Sequence, residues 1–278
     1  MVMVESEWGD DGPLGFRPLL RMVVAADFWA RPGLSDHPRA EANWPGAFLT
    51  MAEAWAAGHG VGPPMWASAL ETMSDPKAQG RELVALIVAT PMLLVNANPQ
   101  GHRRSVIQDW GQHLGLSSST LVALDHYFQL VGQRGQMAGV GGDRSPWMIP
   151  SGLGGRDLGC PEMNPSDLDD PNFNHLVTLV ISLQGQSLPA LTLAHRWGWP
   201  SAALALVGVL SVLRSGPGGL PLDWLAGQAD QGDLGPRWRG YEAAQIDRLA
   251  DALYGRWAGS PIRSPKGTPI MARDSGMA

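Results

Sequence analysis

Catalysis or metal binding needs nucleophiles, titratable groups or oxygen and nitrogen ligands gathered at one place. The densest such run in this chain is Asn164-Pro-Ser-Asp167-Leu-Asp169-Asp170-Pro-Asn-Phe-Asn-His175. Clustered carboxylates suit a hard cation, so Asp167, Asp169, Asp170 and His175 form one candidate metal set. The same run also has the form of a helix start. Asp170 or Asn172 beside Pro171 is placed to cap orphan amides, and acids near a helix N-terminus are favoured by its dipole. The helix start is the simpler reading. The seven histidines stand at 37, 59, 102, 113, 126, 175 and 195, and no two are spaced i, i+4 as a helical ligand pair would be, so surface or capping roles are expected of them. Cys160 is the only cysteine and nothing beside it in sequence would lower its pKa, which makes it an inert thiol rather than a nucleophile. No phosphate loop, dinucleotide fingerprint, Cys-x-x-Cys pair or His-Glu-x-x-His run is present.

Twelve tryptophans spread along the whole chain. Dispersion favours packing at helix contacts or interfaces over a stacking platform, which needs several rings on one face.

The elements that must position these residues are helices. Apolar spacing of three and four predicts helices over Leu14–Trp29, Ala47–Ala57, Pro64–Met73, Ser105–Leu114, Ser118–Val131, Asn172–Gln184, Leu188–Arg196, Pro200–Leu213 and Glu242–Trp257, with a short one at Leu222–Gly227. Arg81–Val95 is apolar almost all round and therefore central; Pro91 within it should bend or end it. The serines at 117–119 suit a cap, and Pro200 suits a first helical turn. No alternation is long enough for a sheet. The expected architecture is all-α: one compact multi-helix domain over 14–258, preceded by a flexible 1–13 and followed by a Pro, Ser and Gly-rich tail, 259–278. Within the domain, 132–171 is a long irregular insertion in which glycine and proline recur.

Charge and composition narrow the function. Net charge is −6 and the sequence pI about 5.6, with no basic run to follow a phosphate backbone, so nucleic acid is not an expected partner. The apolar stretches 83–97 and 201–213 fall short of the roughly 20 residues a bilayer requires. An acidic N-terminus with no hydrophobic segment behind it, and a lone cysteine, lead to the expectation of a cytoplasmic protein without membrane contact.

Four segments, taken in order, resemble the ADP-ribosylglycohydrolase family, whose members are all-helical and use a binuclear magnesium site to remove ADP-ribose. Phe16 to Ala30 is similar to the family's opening helix, which ends in Gly-Asp-Ala-Leu-Gly; Asp27 keeps the acid. Trp44-Pro45-Gly46-Ala47-Phe48 falls where the family has Thr-Asp-Asp-Thr. Gly80 to Leu94, with Ala89-Thr90-Pro91, resembles the central helix Asn-Gly-x-x-Met-Arg-x-x-Pro and retains chiefly its proline. Ala194 to Ala202, then Val207-Gly208-Val209 and Gly219-Leu220-Pro221-Leu222-Asp223-Trp224, tracks the family's Gly-x-Asp-x-Asp-Thr, Gly-Ala and Ile-Pro-x-x-Trp, with Trp199 and Ser201 in place of the two aspartates.

The resemblance implies a helical fold whose metal site is lost. Two magnesium ions need several carboxylates, yet Gly46, Ala47 and Trp199 carry no side-chain oxygen and Ser201 only a neutral one. Asp27 itself is expected to be a solvated carboxylate at a helix end. Two functional readings follow. In the first the chain is a non-catalytic pseudoenzyme without cofactor, binding an unidentified protein partner or small ligand at a vestigial cleft formed by Asp27, Trp44, Gly46, Ala47, Trp199 and Ser201, with Trp44 and Trp199 as anchors if exposed. The alternative is a hydrolase of ADP-ribosyl or nucleotide-like substrates with a Mg2+ site rebuilt from Asp27, Asp167, Asp169, Asp170 and His175.

Overall fold

Among the described residues, the stretches in which apolar residues recur at spacings of three and four are helical. A computed structural model describes residues 16–30, 44–58, 63–71, 81–96, 104–132, 171–216 and 233–258. Among the described residues are ten α-helices and one 3-10 turn, and no strand. The helices are α1 (Phe16–Trp29), α2 (Trp44–Ala57), α3 (Pro63–Glu71), α4 (Arg81–Asn96), α5 (Arg104–His113), α6 (Ser118–Gly132), α7 (Phe173–Ser182), α8 (Ser187–Arg196), α9 (Ser201–Ser215) and α10 (Ala243–Trp257); the 3-10 turn is Pro236–Trp238. None is long and apolar enough to cross a membrane. The segment 1–13, the tail 259–278, almost all of the insertion 132–171 and the expected helix Leu222–Gly227 lie outside the described residues.

α4 is the hub. Every residue from Leu83 to Asn96 is buried, and α2, α3, α6, α9 and α10 all pack on it. Each aliphatic side chain so enclosed contributes about 1.5–3 kcal/mol relative to exposure. The helix does not end at Pro91 but runs through it to Asn96. Proline removes the amide that would have served the carbonyl of Ile87, and the surrounding helices hold the turn in place against that loss. Polar groups inside this hub are served locally. Thr90 Oγ1 donates to the Leu86 carbonyl at 3.2 Å and lies 2.9 Å from the Tyr127 hydroxyl, while Asn96 Nδ2 donates to the Met92 carbonyl at 2.7 Å.

α1 lies between α9 and α10. Its approach to α9 is set by Gly208, where an added Cβ would stand 2.6 Å from Met22 Cγ. Its register with α10 is marked by Arg17 paired with Asp251 and Arg21 with Asp247, both bidentate, so the two helices run antiparallel. The Asp247 carboxylate raises the pKa of Arg21 further, and the Asp251 carboxylate that of Arg17. At α6, Ser117 supplies the cap: its Oγ accepts from the Thr120 amide at 3.2 Å.

Candidate functional site

Five of the six expected cleft residues sit on helix ends that converge. Asp27 lies in the last turn of α1, Trp44, Gly46 and Ala47 in the first turn of α2, and Ser201 opens α9. The sixth, Trp199, belongs to the link between α8 and α9, and that link explains its surroundings. α8 stops at Gly198, whose φ of 72° is a left-handed conformation that glycine adopts without strain. The Gly198 amide donates to the His195 carbonyl at 2.9 Å and the Trp199 amide to the Ala194 carbonyl at 3.1 Å, which is the paired closure of a Schellman motif. Pro200 then stands one residue ahead of α9, as its N-cap rather than in its first turn. The sequence Gly198-Trp199-Pro200-Ser201 is thus a helix stop followed by a helix start.

Trp44 and Trp199 are buried, at 1% and 4% exposure, and neither offers its ring to a partner from the surface of this conformation. The Trp44 indole N–H donates to Ser201 Oγ at 2.8 Å. Its ring meets those of Phe48 and Trp238 edge to face, at centroid distances of 6.5 and 5.9 Å, and the Trp199 ring lies 5.2 Å from that of Trp197. Such edge contacts place the positive rim of one ring on the negative face of the next. Packing is the role of the described tryptophans: Trp55, Trp66 and Trp238 are also buried, and Trp29, Trp110, Trp197 and Trp257 are half-buried against the core.

Asp27 is not a solvated acid. Its side chain has no exposure, its Oδ2 accepts from the Trp238 indole N–H at 3.0 Å, and its Oδ1 lies 3.2 Å from Arg237 Nη2. A buried carboxylate is tolerable because a cation and an N–H donor have been brought to it. Both come from one short loop, 233–241, which sequence patterning did not single out. The next residue of that loop does the same for α2. Arg239 Nη2 donates to the Gly46 carbonyl at 3.0 Å and to Thr50 Oγ1, and Arg239 Nη1 lies 3.3 Å from Glu53 Oε2. The Tyr241 hydroxyl also donates to Glu53, and partial burial together with that carboxylate holds its pKa well above the ordinary tyrosine range. A signal was available: Gly235-Pro236 and Gly240 are turn residues, and Arg-Trp-Arg between them is an unusual concentration of donors.

The alternative metal set is only partly visible. Asp167, Asp169 and Asp170 lie outside the described residues. His175 closes the N-terminus of α7 with Asn172. The His175 amide donates to Asn172 Oδ1 at 3.2 Å, and the Asn172 amide donates to His175 Nδ1 at 3.3 Å, a reciprocal capping box. Among the described residues no group of three or more His, Cys, Asp or Glu side chains could hold a metal ion.

Chemically, the convergence of α1, α2 and α9 sets oxygen acceptors against donors of the same chain: the Asp27 carboxylate accepts from an indole and forms an ion pair with a guanidinium, a carbonyl accepts from a guanidinium, and a hydroxyl accepts from an indole. Nothing in it is arranged as a nucleophile beside a base. Compared with protein-family models, with curated proteins and with solved structures, the chain finds no match in any of the three.

Proposed function

We propose that the chain is a non-catalytic protein on an ADP-ribosylglycohydrolase-like helical fold, acting by binding a protein partner or small ligand rather than by hydrolysis. The observation that supports the non-catalytic part of this reading is the occupancy of the converging helix ends by the chain's own side chains. Where the resemblance would put two magnesium ions, Asp27 is engaged by Arg237 and Trp238, Ser201 by Trp44, and the Gly46 carbonyl by Arg239. Two hard divalent cations need several carboxylates in near-octahedral array. One acid, a hydroxyl and a backbone carbonyl do not fit that demand, and a guanidinium at 3.2 Å from the acid opposes a second cation there.

The test is calorimetric titration of Mg2+, and then of ADP-ribose, into the purified full chain. No binding heat from either is expected. A magnesium stoichiometry near two, or ADP-ribose binding that depends on magnesium, would overturn the reading, because a binuclear centre is the minimum the family's hydrolysis uses.

A further inference from the structure

We draw no further inference here: the strongest candidate, the corner of α2, α3 and α5 where the buried indole N–H groups of Trp55 and Trp66 have no hydrogen-bond acceptor among the described residues and Trp55 packs on Trp110, carries nothing because nothing in the structure shows that the two donors face a common ligand.

Discussion

Arg237→Met and Asp27→Asn remove opposite halves of one ion pair, and they should not cost the same. Asp27 has no solvent exposure, whereas the Arg237 side chain keeps 30% of its surface in water. Taking away the guanidinium leaves a carboxylate in the core with the Trp238 indole N–H still donating but without the cation at 3.2 Å. Loss of one partner from a buried pair costs about 3–5 kcal/mol, and the partial exposure of Arg237 puts this case near the lower end, about 3 kcal/mol. Asn at 27 keeps the shape and an oxygen that accepts from Trp238, while the guanidinium left behind turns to water. That loss is of one charge-assisted contact at a half-open position, about 1–2 kcal/mol. The assay is urea unfolding at neutral pH followed by far-UV circular dichroism. With a slope of about 2–3 kcal/mol/M, the Arg237→Met midpoint should fall below that of Asp27→Asn by roughly 0.5 M or more. The double variant should lose less than the sum of the two, since the second change removes the charge that the first exposed. Asp27→Asn proving as damaging as Arg237→Met, or strict additivity, would refute the claim that Arg237 is there to compensate Asp27.

Three further outcomes follow from the same packing. Gly208→Val should destabilise by about 1–3 kcal/mol in the same unfolding assay, because its Cβ would stand 2.6 Å from Met22 Cγ in a fully packed α1–α9 contact, and Met22→Ala should recover part of that loss. Ser201→Ala deprives the buried Trp44 indole of its acceptor at 2.8 Å and should cost about 1–3 kcal/mol by the same measurement, with Ser201→Thr closer to wild type. Burial holds the Tyr127 hydroxyl above its ordinary pKa, so in the unfolded chain it ionises from pH about 10 while the folded chain keeps its proton. Its contribution is therefore constant below about pH 10 and declines above it, by about 1.4 kcal/mol per pH unit, and Tyr127→Phe should make thermal or urea stability fall less steeply with pH in that alkaline window.

The helices were legible because their signal is local. Periodicity placed α1, α4, α6 and α10 within about two residues of their ends, since a buried face has to recur every turn whatever it packs against. Pro91, expected to bend or end its helix, does not end it: α4 is enclosed by five neighbours and continues to Asn96. The site failed for the complementary reason. Asp27 looked like a solvated helix-end acid because its partners, Arg237 and Trp238, lie more than 200 positions away, with |i−j| = 211 for the Trp238 bond. The loop that carries them has no period at all, only turn residues and donors. Trp44 and Ser201 are 157 positions apart, and neither type announces that it will meet the other.

Those long-range pairs share a pattern that bears on how the converging helix ends came to be stable. Oxygen acceptors at the ends of α1, α2 and α9 must each find a donor once water is excluded, and a cation is one way to supply positive charge among them. Here the supply is covalent. Arg237 and Arg239 bring two guanidiniums on a loop that folds on itself, Trp238 brings an indole N–H, and Trp44 serves Ser201 within the core. A guanidinium offers five donors in a fixed fork and stays charged at any accessible pH, so it satisfies carboxylate, carbonyl and hydroxyl at once, as Arg239 does with Glu53, Gly46 and Thr50. Any ligand that enters there must first displace an arginine.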